Sequence, residues 1–274
     1  MPATKTPASL DDAKCVLITG ATSGIGRALA LRIAELPSRP TVVAAGRRQD
    51  RLDALGAIEG VEPLYLDVSS DLEALKSATE AFLAKFPDLD TIILNAGIQH
   101  EFDLTKDVDL SKLLQELNVN YISVVALITY VLPHFLKRSE QGRPSFIVTV
   151  TSGLGIVPAP GLPNYSATKA ALRSFTTSLR AQLDETHVHV TEIIPPLVES
   201  ELHDAYGTTE RLSKFWMPLN EFTELTIEGL RQGNGYIPVG TAEQAFEKFE
   251  TGKEDMVNGF MKMQKQLKAQ AIQS

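Results

Sequence analysis

The sequence predicts an α/β protein, a doubly wound parallel sheet with helices on both faces, as one domain over residues 1–274. Three observations predict it. Short β-branched runs alternate with helix-length segments, several of the runs are apolar apart from their end residues, and a glycine-rich turn joins the first run to the first helix. Such alternation is what βαβ crossovers produce. Strands that are apolar throughout are those buried on both faces.

In chain order, the candidate strands are CVLIT (15–19), TVVAA (41–45), VEPLYL (61–66), TIILN (91–95), SFIVTV (145–150) and VHVTEII (188–194). Helical patterns fill the gaps at 25–36, 49–58, 71–86, 108–138 and 163–185. After residue 194 the rhythm changes. Residues 196–236 mix helical pieces with loop residues and read as a substrate lobe over the crevice at the strands' carboxyl ends. Residues 241–270 read as a closing amphipathic helix or helix pair.

Bulk chemistry narrows the partners. A net charge of −8 repels nucleic acid and anionic lipid, and no basic run offsets it. The single cysteine, Cys15, cannot form an internal disulfide and reads as a small buried hydrophobe. No Cys/His spacing suggests a metal. His187 and His189 alternate along a strand and read as packing or solvent-facing residues. The N-terminus has no apolar core of signal-peptide length. The longest apolar run, Tyr121 to Phe135, is interrupted by Ser123, Thr129 and Pro133 and falls short of the roughly 20 residues a membrane span needs. The expectation is a cytoplasmic protein acting on a small molecule, without nucleic acid, membrane or metal.

The first strand runs into VLITGATSGIGRALALRIAEL, with glycines at Gly20, Gly24 and Gly26 and Thr22, Ser23 and Ile25 between them. Glycines let the backbone approach a pyrophosphate, and the helix N-terminus presents free N–H groups to it. Between a strand and a helix this turn predicts a dinucleotide site of Rossmann type. The second strand ends in Gly46, Arg47 and Arg48, where an acidic residue would bind the ribose 2′-hydroxyl of NAD. A guanidinium binds a 2′-phosphate through charge-assisted hydrogen bonds. The expected cofactor is therefore NADP(H), with Arg47 the principal contact and Arg48 either a second one or merely the start of the next helix.

Further on, NYSATKAAL places Tyr165 and Lys169 four residues apart, on one helical face. A lysine charge beside a phenol can stabilise the tyrosinate and make the phenol a usable proton donor and acceptor.

The segments TGATSGIG (19–26), NAG (95–97), NVNYIS (118–123), VTS (150–152) and YSATK (165–169) together resemble the short-chain dehydrogenase/reductase family, in its branch of roughly 250 residues, over about residues 14–200. The resemblance implies hydride transfer between nicotinamide and a carbonyl or alcohol. It assigns Ser152 to the substrate oxygen, Tyr165 to general acid/base catalysis, and Lys169 to lowering the tyrosine's pKa and binding the nicotinamide ribose. Asn120 would hold a water linking Lys169 to solvent, with Asn118 as the fallback. Asp67 and Val68 match an adenine-contacting pair, and Asn95, Ala96 and Gly97 match the segment beside the cofactor ribose. Val198 and Ser200 fit the nicotinamide-side loop, although Pro196 replaces the family's usual glycine there. The Pro-Pro pair and the later VGTA resemble the branch named after a teichoic-acid D-alanylation-locus protein.

Flanking residues Gly153, Leu154, His100, Tyr206 and Trp216 are mostly apolar, aromatic or neutral. In 196–236 the cations Arg211, Lys214 and Arg231 are scattered, which argues against an anionic substrate. A neutral ketone, aldehyde or secondary alcohol is expected. The alternatives are a non-catalytic NADP(H)-binding sensor or scaffold, and epimerase or dehydratase chemistry on a nucleotide sugar. The family's habit of pairing through helices corresponding to 108–138 and 163–185 implies a homodimer or homotetramer.

Overall fold

The structure is a computed structural model that describes residues 8–202 and 209–273. Its centre is a parallel sheet of β1 (Cys15–Thr19), β2 (Thr41–Gly46), β3 (Val61–Tyr65), β4 (Thr91–Leu94), β5 (Ser145–Val150), β6 (Val188–Ile194) and β7 (Tyr236–Pro238). The strand order is β3-β2-β1-β4-β5-β6-β7. The chain thus winds outward through β2 and β3, returns, and winds the other way from β4. The switch between β1 and β4 opens a crevice at the carboxyl ends of the strands.

Alternation along the strands feeds two cores. Val16 and Ile18 of β1 join the cluster under α1 (Gly24–Ala34) and α8 (Leu219–Arg231), while Cys15 and Leu17 join the cluster under α3 (Leu72–Lys85), α5 (Ser123–Ser139) and α6 (Pro163–Leu183). The remaining helices are α2 (Gln49–Gly56), α4 (Leu110–Leu117), α7 (Thr209–Leu212), α9 (Thr241–Phe249) and α10 (Lys253–Gln273). Local signals start several of them. Asp71 caps α3 by accepting from Ala74 N at 2.8 Å, and α6 begins on Pro163, where the missing N–H costs nothing.

Three features differ from the sequence expectation. β7 is an unforeseen strand, a three-residue element that ends in proline and carries no alternation to read. It pairs with β6 at Glu192, Ile193 and Ile194. Next, the α8 part of the expected 196–236 lobe does not line the crevice. α8 is amphipathic, and its Phe222, Ile227 and Leu230 bury into the core beside α1. Finally, the helix expected over 108–138 continues to Ser139 and carries a π turn at Asn118–Ile122. By length and composition Leu110–Ser139 would suffice to cross a membrane, beyond the shorter apolar run counted from sequence. Its Val124, Leu127, Ile128, Val131 and Phe135 instead fill the core between the sheet and its neighbouring helices.

The side chains set aside from sequence have structural places. Cys15 is buried, and burial with the nearby Asp90 and Asp88 charges pushes its thiol up to about 12. His189 stacks on Phe146 at 5.4 Å between ring centres.

Candidate active site

A cleft of ≈ 810 Å³ opens at the switch point. One wall is the glycine turn: Gly20, Thr22, Ser23, Gly24 and Ile25 line it, with Asn95, Ala96 and Gly97 from the end of β4 beside them. Gly20 has φ +68°, and a Cβ there would lie 2.9 Å from Ala96 Cα. A Cβ on Gly26 would lie 2.4 Å from Asn95 Nδ2 and 2.5 Å from Gly20 O. Gly26 therefore sits behind the cleft wall and permits the close contact of α1 with the turn. Asn95 braces the same junction by donating from Nδ2 to Thr19 O at 3.0 Å, while Asn95 N and Ala96 N donate to Thr19 Oγ1 at 3.0 and 3.1 Å. α1 begins without a side-chain cap and without an acidic residue in its first turn. Its N-terminal N–H groups and positive dipole end face an anion-sized opening, so the turn fits a dinucleotide's pyrophosphate.

At the next strand Gly46, Arg47 and Arg48 all line the cleft. The two arginines diverge. Arg48 turns toward the glycine turn, donating to Thr22 Oγ1 at 3.1 and 3.0 Å and to Ser23 Oγ, and to Glu201 at 2.8 Å. Arg47 points the other way, 3.6 Å from Asp67. Arg48, left open from sequence, is thus the guanidinium nearer the phosphate turn. Arg51, one turn along α2, donates to Thr22 O and shares Glu201. Val68 lines the cleft, whereas Asp67 stands behind it, accepting from Ser69 N and Oγ.

The opposite wall carries the serine, tyrosine and lysine singled out from sequence. Ser152 follows β5, and Tyr165 and Lys169 lie in the first turns of α6. All three line the cleft, although each side chain is largely buried. The Ser152 side chain lies close enough to the Tyr165 phenol to pull its pKa down. Ser152 also caps the turn at Gly153–Gly155, accepting from Leu154 N at 3.1 Å. Lys169 Nζ lies 5.6 Å from the centre of the Tyr165 ring and donates to Val150 O at 2.8 Å. Asn120 sits in the π turn, fully buried. It accepts from Ile98 N and donates to Ile98 O, both at 2.9 Å, and donates to Thr168 Oγ1 at 3.2 Å. Its Oδ1 and Lys169 Nζ both flank Gly97. Asn118 turns elsewhere, donating to Ser69 O.

The electrostatics depart from the expectation that Lys169 makes Tyr165 acidic. Burial pushes the phenol up to about 12; the Ser152 side chain opposes this and the Glu116 charge adds to it. Burial also pulls the Lys169 ammonium down to about 8, with the Glu116 charge opposing. Removal from water is the largest influence on both groups.

The loop after β6 completes the site. Pro195, Pro196, Val198 and Ser200 line it. With no N–H on Pro196, the loop is held from outside it: Gly153 N donates to Pro195 O at 2.9 Å, Met217 N to Leu197 O at 2.8 Å and Glu199 N to Met217 O at 3.0 Å. Gly153 and Leu154 line the cleft, while His100 and Trp216 fall outside its wall and Tyr206 lies outside the described residues. Sequence reading missed Glu116, Arg51 and Glu201. Only Glu116 left a signal, standing four residues before Asn120 on the same helical face.

Comparison with known proteins fits this geometry. The short chain dehydrogenase family model matches residues 14–211. The chain belongs to that family of oxidoreductases. It is 36% identical over 220 residues to the uncharacterized oxidoreductase DltE of Bacillus subtilis, covering 80% of this chain and 84% of DltE. It is 33% identical over 195 residues to an NADP-dependent 3-hydroxy acid dehydrogenase of Schizosaccharomyces pombe, covering 69% and 73%. Among solved structures, a 3-ketoacyl-(acyl-carrier-protein) reductase of Brucella melitensis complexed with NADH superposes with a TM-score of 0.72 at 26% identity, covering 81% of this chain and 94% of that one.

Proposed function

We propose that this short-chain dehydrogenase transfers hydride between NADP(H) and a neutral carbonyl or secondary alcohol, with Tyr165 as general acid/base. The observation that carries the reading is the convergence of Ser152, Tyr165 and Lys169 on the wall of the cleft that also holds the glycine turn, with Lys169 Nζ 5.6 Å from the Tyr165 ring centre. When bound, the nicotinamide supplies or accepts the hydride. Ser152 orients the substrate oxygen and stabilises charge developing on it. Tyr165 gives that oxygen a proton in reduction and takes it back in oxidation. Lys169 binds the ribose side of the site and places a positive charge behind the phenol. Asn120 holds the strand-end loop against α6, where a bound water can reach Lys169.

Arg47 and Arg48 support the choice of NADP(H), since a 2′-phosphate beside them meets two guanidinium groups and would take the place of Asp67 and Glu201 as their anionic partner. The NADP-dependent yeast relative agrees, while the NADH complex of the bacterial reductase keeps NAD(H) the competing cofactor. The cleft's substrate end, with Leu154, Val157, Leu162 and Leu212, suits an apolar neutral compound. The protein works in the cytoplasm as one domain. Exposed Leu110 (65%) and Leu114 (62%) on α4 favour pairing with a second copy.

NADPH oxidation across a panel of ketones, aldehydes and quinones tests the reading. Tyr165→Phe is expected to remove turnover while leaving NADPH binding largely intact. Turnover like wild type in that variant overturns the mechanism, and a lower KM for NADH than for NADPH overturns the cofactor.

A further inference from the structure

One buried charge has no part in that mechanism. Glu116 lies on α4 and is 0% exposed, in a molecule whose core otherwise leaves few carboxylates without a cationic hydrogen-bond partner. A carboxylate removed from water is costly unless hydrogen-bonded and compensated by charge. Here both oxygens are used. Oε1 accepts from His100 N at 2.8 Å, and Oε2 accepts from Asn164 Nδ2, which also donates to Leu113 O at 3.2 Å. His100 belongs to the loop after β4, whose Ile98 and Gln99 form one cleft wall. Asn164 immediately precedes Tyr165 in the first turn of α6. A single carboxylate therefore ties the cofactor-side loop to the helix turn that carries the phenol.

The charged and titratable groups facing it are His100 from the loop and Tyr165 and Lys169 from α6. We infer that Glu116 is a positioning residue of the catalytic site, its buried carboxylate clamping the loop after β4 to the first turn of α6 and standing as the countercharge to Lys169. The inference rests on the catalytic reading of Tyr165 and Lys169 given above. The direction of its charge effect supports it, because Glu116 raises both groups, opposing burial at Lys169 and reinforcing it at Tyr165. Both protons are lost as pH rises, so the Glu116 charge delays both losses. Removing that charge must bring the alkaline fall of carbonyl reduction to lower pH. A side chain that merely braces the fold lowers the rate without moving that limb.

The test separates charge from shape. Glu116→Gln keeps the shape and removes the charge, whereas Glu116→Asp keeps the charge and shortens the reach. In full-length protein with isotope-labelled lysine, the Lys169 side-chain resonance is assigned by its loss in Lys169→Met and followed by NMR as pH is raised. Glu116→Gln should lower its midpoint by about one pH unit, and Glu116→Asp should leave it near wild type. An unchanged midpoint in Glu116→Gln overturns the inference. If that variant does not fold, the wild-type Lys169 resonance decides: it must show a second, smaller inflection where Glu116 titrates, above the ordinary carboxylate range, and a single-step curve overturns the inference. This readout needs no turnover. A Tyr165→Phe enzyme that still reduces carbonyls therefore sinks the catalytic reading separately from the Glu116 countercharge.

Discussion

Replacing Arg173 by methionine should cost this fold several kcal/mol, and the cost should depend on pH. Glu192 of β6 is completely buried, and its Oε1 accepts from Arg173 Nη1 at 2.8 Å and from Thr151 Oγ1 at 2.6 Å. Arg173 is itself buried, reaches Glu250 at 3.2 Å, and lies over the Phe246 ring. Methionine fills much of the arginine's volume but strips the buried carboxylate of its nearest cation, a change that costs about 3–5 kcal/mol. At roughly 2–4 °C per kcal/mol for a domain of this size, Tm should fall by about 6–20 °C. Burial already raises the Glu192 pKa above its ordinary value, and the Arg173 charge is the largest influence opposing it. Without Arg173 the folded-state pKa rises further, so the folded protein binds a proton that the unfolded chain has released. The deficit is then full above the folded pKa and shrinks as pH falls toward the unfolded carboxylate value. Calorimetry at pH 8 and pH 5 should show a much larger loss at pH 8, and Arg173→Met/Glu192→Gln should recover most of it. A loss below about 1 kcal/mol, or an equal loss at both pH values, would refute the reasoning.

Two further outcomes follow from burial. Phe222→Ala should destabilise by about 3–5 kcal/mol in urea unfolding, because Phe222 is a fully buried part of the α1–α8 layer. A loss under 1 kcal/mol would contradict the burial of α8 in that layer. Cys15, the sole thiol, should resist iodoacetamide at pH 8 in the native state and take up one equivalent on unfolding, since it is buried and its thiol is pushed up to about 12.

The six strands read from sequence were legible because each is a short run rich in apolar and β-branched residues set off by helix-length or turn segments, most clearly in β1, β2 and β4, whose central residues are all buried. β7 left no such trace. Its three residues pair with β6 because α8 delivers them there, a consequence of tertiary packing rather than of local propensity. α8 was misread for a related reason: the polar and loop residues around it masked Phe222, Ile227 and Leu230, which share a face only once the helix exists. In the site, Ser152, Tyr165 and Lys169 were legible as residue types at fixed spacing. The bearing of Arg48 was not, because its direction depends on Thr22, Ser23 and Glu201, brought together from separate turns.

The least legible property is the one the chemistry depends on most. Four residues on a helix announce that Tyr165 and Lys169 are neighbours, but not whether water reaches them. In the folded protein both are buried, and that burial moves the phenol up and the ammonium down, each toward its neutral form. Proximity alone would acidify the phenol, yet removal from water is the largest influence on it here. The spacing therefore encodes which groups meet, while their protonation is set by groups far away in sequence: Ser152 from β5, opposing the rise in Tyr165, and Glu116 from α4, opposing the fall in Lys169.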